Sequence, residues 1–90
     1  MRPSCLNCAR KHLAQAEILL HESKQGYPEH FWLCMGHLAE AADELLRDHA
    51  GLAEQIRNER KLLEEDYDYQ IPIMDLITAV TAVAEEETHE

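Results

Sequence analysis

Apolar residues recur every three or four positions along nearly the whole chain, interrupted only around Gly26, Gly51 and Pro72. This spacing puts them on one face of an α-helix, whereas a strand would alternate them every second residue. From Ala9 to Lys24 the stripe is Ala9, Leu13, Ala16 and Leu20, widened by Ile18 and Leu19, with Ser4 or Asn7 as the expected N-cap. Gly26-Tyr27-Pro28 then stops the helix, since glycine suits a left-handed C-cap and proline the first turn of a new helix. A second helix is expected from about Glu29 to Arg47. One of its faces carries Phe31, Cys34, Leu38, Ala41 and Leu45, the other Trp32, Met35, Ala39, Ala42 and Leu46. Asp48-His49-Ala50-Gly51 reads as the next break. A third helix then runs from about Leu52 to Glu65, with Leu52, Ile56 and Leu63 inward. Tyr67 to Ile71 forms a connector, and a fourth helix starts near Pro72 with Ile73, Leu76, Ile77, Val80 and Ala84 as its stripe. Its β-branched residues make a strand conceivable, but length and spacing favour a helix. The expected fold is all-α, an antiparallel helical hairpin extended by two further helices into a small bundle. It forms a single domain over residues 1–90, with an acidic end at 85–90 that can fray.

A 90-residue chain buries a modest core and gains from a staple. The start of the chain offers one. Cys5, Cys8 and His12 are spaced C-x2-C-x3-H, so two thiolates and an imidazole fall on one helix face and can grip a single ion. Sulfur and imidazole nitrogen are the donors Zn²⁺ prefers, with one tetrahedral position left to fill. A turn in which Lys24 faces Glu29 sets His12 opposite Ala41 and His37 opposite Ala16, so those two histidines diverge. His49, just past the second helix, is then the first choice for the fourth ligand, with Glu44 and His37 behind it. The expected zinc site is therefore Cys5, Cys8, His12 and His49, a metal staple at the N-terminus. A thiol–disulfide redox pair is the alternative, but it wants a strand–helix junction that the pattern does not offer. Cys34 reads as a small core residue.

Charge narrows the partners. The net charge is −10, which disfavours DNA, RNA and anionic membranes, all of which need clustered Lys and Arg. No apolar run approaches the ~18 residues of a membrane span, and no apolar signal region follows Arg2, so a reducing cytoplasm is the expected setting. Residues 62–90 carry nine acidic side chains and no Lys or Arg, with Glu85, Glu86 and Glu87 at the end of the fourth helix. Negative charge is unfavourable at a helix C-terminus, so this run is either a solvated end or a dock for a basic protein surface. Arg2, Arg10 and Lys11 beside the first helix N-terminus form the opposite patch, able to attract a small anion such as a nucleotide. The two apolar faces of the second helix exceed what one partner helix can cover, which points to a homo-oligomer, most simply a dimer.

His37, Glu40 and Glu44 share one face of the second helix, a carboxylate–histidine set of the kind that holds metals in bundles. Its ordinary reading is a half-buried histidine beside a solvated acidic face. No Ser-His-Asp set, phosphate-binding glycine loop or HExxH occurs, since His37-Leu38-Ala39-Glu40 lacks the second histidine.

Cys5-Leu6-Asn7-Cys8-Ala9-Arg10-Lys11-His12-Leu13, followed by Gly36-His37-Leu38-Ala39-Glu40-Ala41, resembles small helical proteins of bacteriophages and prophages that begin with a similar Cys-pair, Lys-His-Leu pattern. The resemblance covers about half the chain and brings no activity or site residues. It implies a bacterial cytoplasm and a host-interaction role. The function expected from all of this is a non-enzymatic, zinc-stabilised interaction protein that modulates a host protein. The alternatives are a binder of a small anionic ligand and, third, a metal-dependent hydrolase using the open coordination position.

Overall fold

A computed structural model describes the backbone of residues 3–88 and the side chains of residues 3–87. It consists of α1 (Leu6–Lys24), α2 (His30–Leu45), α3 (Ala50–Glu65) and α4 (Ile73–Thr88), with no strand among the described residues. The apolar spacing therefore produces helices throughout, including the β-branched α4, whose first turn closes with the Leu76 amide on the Pro72 carbonyl at 3.1 Å.

The helix ends carry the differences from expectation. α1 begins at Leu6, ahead of Ala9, because the Cys5 sulfur sits at the N-cap position and accepts from the Cys8 amide at 3.1 Å. Ser4 is engaged elsewhere. Its amide donates to Asp48 Oδ2 and its hydroxyl accepts from the Asp48 amide, both at 3.0 Å, which ties the chain start to the end of α2. Gly51 lies inside the first turn of α3, while the break falls at Leu46–His49, where α2 stops and His49 caps α3. A first-turn amide has no intrahelical partner in any case, so glycine disturbs little there.

The α1–α2 connection sets the register of the hairpin. Gly26 adopts φ 117°, and the Tyr27 amide reaches back to the Glu22 carbonyl at 3.2 Å, the six-residue closure that a left-handed C′ glycine makes possible. The chain then turns tightly, and His30 Nδ1 meets Glu22 Oε1 at 3.0 Å. Farther along, the Cys5 amide donates to the Glu44 carbonyl at 3.0 Å, and His12 stands beside His37. The helices are thus offset by about one turn from the pairing that sets His12 against Ala41.

Helices α1 and α2 form the centre. α3 packs on α2, α4 packs on α1, and α3 scarcely meets α4, giving an elongated body of 45 × 20 × 20 Å. Ala9, Ala16, Ala41 and Ala42 are fully enclosed and let the helices approach closely around Leu13, Leu38 and Leu45. Each of those leucines removes enough apolar surface from water to contribute about 2 kcal/mol. The second apolar face of α2 is largely satisfied within the chain: Met35 and Ala42 are buried in a helix flanked by both α1 and α3. The argument for an oligomer from that face therefore shrinks to Trp32 and Leu33, which stay 65% and 54% exposed.

At the turn end of the hairpin, Phe31 meets Trp32 and Tyr67 edge-on, each with ring centres 5.1 Å apart. Tyr67 shares a 3.0 Å hydrogen bond with Ser23, whose hydroxyl also donates to the Leu20 carbonyl at 2.7 Å. Tyr69 donates to Glu59 across the α3–α4 corner. No described helix is long and apolar enough to cross a membrane.

Candidate metal site

The four residues expected to surround one zinc ion are not brought together. Cys5 and Cys8 are joined to each other as a disulfide, so they do not stand as two thiolates around an ion. Cys5 at the extended N-cap and Cys8 in the first turn of α1 have Cα atoms 5.2 Å apart, within the ordinary range for a disulfide. His49 faces α4, where its Nε2 pairs with Glu87 Oε1 at 2.9 Å. The α2–α3 corner lies beside the chain start through Ser4 and Asp48, but the His49 ring is paired with α4. Glu44, a fallback ligand, is buried at the end of α2. Arg2 and Glu90, which belong to the two charged ends, lie outside the described residues.

His12 keeps its place in a cluster, with different partners. Its Nδ1 lies 2.9 Å from His37 Nδ1 and 3.2 Å from Glu40 Oε2, and the imidazole centres are 5.2 Å apart with planes inclined at 37°. All three donor atoms fall within 4.8 Å of one another. His12 comes from the second turn of α1. His37 and Glu40 sit three apart on α2 and so lean over the same patch. The cluster exists because α1 and α2 lie close across their alanines and because the Gly26 turn sets the register.

The protons limit what this arrangement can be. Two neutral imidazoles can share one hydrogen between their Nδ1 atoms, but His12 Nδ1 cannot accept from His37 and donate to the Glu40 carboxylate at once. A hydrogen on His12 Nδ1 can instead be shared between His37 Nδ1 and the Glu40 carboxylate, and a cation among all three groups satisfies them equally. Two imidazole nitrogens at zinc bond lengths of about 2.0–2.1 Å stand about 3.3 Å apart in a tetrahedral site. The His12–His37 and His12–Glu40 separations of 2.9 and 3.2 Å lie close to that spacing, and the third pair is within 4.8 Å. His12 is partly exposed and Glu40 is 61% exposed, so an ion enters from solvent without opening the core. Two histidines and one carboxylate complete three tetrahedral positions and leave the fourth free.

Cys34 takes no part. Its thiol is enclosed between the helices, and burial, reinforced by the negative charge of Glu17 and opposed by Arg60, pushes its pKa up to about 11. Arg10 and Lys11 lie in the first two turns of α1. At the opposite end a shallow, largely apolar groove is lined by Ser23, Lys24, Pro28, Phe31, Tyr67 and Asp68, with Lys24 lying over the Tyr67 ring.

The sequence places His37 and Glu40 on one face of α2 and leaves His37 only a fallback partner for His12. The spacing within α2 was visible. The position of His12 opposite them depended on the turn register, and Gly26 was its only local sign. Comparison with known protein families, with curated proteins and with solved structures returns no match.

Proposed function

We propose that the protein is a non-enzymatic helical interaction module whose central hairpin is stapled by a divalent transition-metal ion, Zn²⁺ foremost, bound through His12, His37 and Glu40. The observation that carries this reading is the convergence of two imidazole Nδ1 atoms and one carboxylate oxygen across the α1–α2 seam. An ion there links two helices that otherwise meet through small side chains, and its binding free energy adds to folding. Three protein ligands and a free fourth position also suit a metal-bound water, so hydrolysis is the second reading of the same geometry. The interaction role is supported by exposed Tyr27, Trp32 and Leu33 near the hairpin turn and by the acidic composition, which suits a protein partner with a basic surface. The phage resemblance extends this to modulation of a host protein, and that extension rests on the resemblance alone.

The test is a Zn²⁺ titration of metal-free protein followed by calorimetry and by thermal melting. Stoichiometric binding that disappears in His12→Ala and in His37→Ala, with helix content unchanged, supports the site. Undiminished binding in both variants refutes it.

A further inference from the structure

Cys8 stands one helical turn before His12 on α1, and the two seam contacts that flank it bring it level with Glu40 and Ala41 of α2. Those contacts are the Cys5 amide on the Glu44 carbonyl at 3.0 Å and His12 on His37 at 2.9 Å. Side chains four apart on a helix have Cβ atoms about 5–6 Å apart, within reach of a common ion for a thiolate and an imidazole. In the oxidised protein the Cys8 sulfur is bonded to Cys5 and is a poor donor.

We propose that the Cys5–Cys8 disulfide is a redox gate on the metal site, and that its reduction supplies the Cys8 thiolate as the fourth ligand, beside His12, His37 and Glu40. This rests on the metal reading above and adds the identity and the control of its open position. The exchange balances. A dithiol reductant gives two electrons and two protons to the disulfide and itself becomes a disulfide, leaving Cys5 and Cys8 as thiols. Zn²⁺ then takes the Cys8 sulfur as thiolate, and the displaced proton goes to solvent. Cys5 stays at the N-cap of α1, where its sulfur already accepts from the Cys8 amide. Cys34 is enclosed and does not compete. The gated site is thus three-coordinate from protein when oxidised and closed with four protein ligands when reduced, and a thiolate added to imidazole and carboxylate raises affinity for Zn²⁺ over harder cations.

The experiment compares the full chain in two states, oxidised and dithiol-reduced, the second freed of reductant under anaerobic conditions before titration. Co²⁺ serves as the spectroscopic probe and Zn²⁺ as the competing ion. The expected result is a thiolate-to-cobalt charge-transfer band in the reduced protein only, with Zn²⁺ bound at least tenfold more tightly than by the oxidised protein. The band is retained in Cys5→Ser and lost in reduced Cys8→Ser, whose affinity matches that of the oxidised chain. Equal affinity in the two states with no band overturns the gate and leaves the three-ligand site standing. A band that survives Cys8→Ser and vanishes in Cys5→Ser overturns the choice of ligand. Binding in neither state removes the metal reading itself. The comparison of wild-type states needs no variant to fold.

Discussion

The two ends of the α1–α2 hairpin are held by different chemistry. At the turn end, Phe31, Trp32 and Tyr67 meet edge-on, Ser23 bridges to Tyr67, and the cohesion comes mainly from rings and neutral hydroxyls, with one His30–Glu22 pair beside them. At the open end the seam carries His12, His37 and Glu40, with His49 and Glu87 joining α3 to α4 nearby. Aromatic packing is indifferent to solutes, whereas imidazole and carboxylate groups respond to protons and metal ions. One hairpin thus has a constitutive end and a conditional end. Placing ligands on a seam already registered by a tight turn lets an ion act on a preformed geometry.

The largest contrast should appear on truncating an aromatic. Phe31→Ala is expected to destabilise the protein by about 3 kcal/mol, the lower part of the range for such substitutions because the ring is only half-buried. The effect should be the same with and without metal. His37→Ala in metal-free protein should cost less than about 1 kcal/mol, the scale of a single hydrogen bond. Chemical denaturation of both variants checks this, and equal losses would erase the distinction between the ends.

Next in size is the metal itself. Zn²⁺ at a hundredfold excess over its dissociation constant should stabilise the wild type by about 2.7 kcal/mol. The same addition should leave His12→Ala unmoved and should stabilise Phe31→Ala by as much as the wild type. Thermal melts across a zinc series measure all three, and a zinc effect lost in Phe31→Ala would show the ends to be coupled.

Tyr67→Phe removes the hydroxyl shared with Ser23 and should cost about 1 kcal/mol, with no change in zinc response. Urea denaturation resolves a difference of that size. A normal melt for this variant would assign the cohesion of the turn end to the rings alone.

The smallest effect near neutral pH concerns Cys34, in the apolar middle between the ends. Its folded pKa of about 11 lies above the ordinary 9.0, because burial disfavours the thiolate. Both states are protonated below pH 9, so its contribution is fully present there. It is lost as pH rises from 9 through 11, where only the unfolded chain releases the proton readily. Oxidised wild type should therefore lose stability more steeply than Cys34→Ala over that window, and parallel curves would show that the thiol is not enclosed.

Helical periodicity is a local property, which is why the stripes Ala9–Leu20 and Ile73–Val80 could be read as the buried faces of α1 and α4 before any contact was known. Gly26 was legible as a terminator for the same reason. Glycine alone tolerates the φ of 117° found there. Local chemistry also singled out His12 and grouped His37 with Glu40. It could not show that these meet, that Cys5 and Cys8 bond to each other, or that His49 serves Glu87. Nor could it show that α3 covers Met35 and so removes most of the apparent need for a second copy.

The amino-acid sequence by itself determined the four helices, the turn at Gly26, and which face of each helix is apolar, because these follow from side-chain spacing and from the backbone preferences of glycine and proline. Only the tertiary structure decided which polar residues face one another. A shift of one helical turn between α1 and α2 replaces every cross-seam partner while leaving each helix and its apolar stripe intact. That shift is set by the Gly26 turn and the packing of the alanines, and from it follows the placement of His12 on His37 and Glu40.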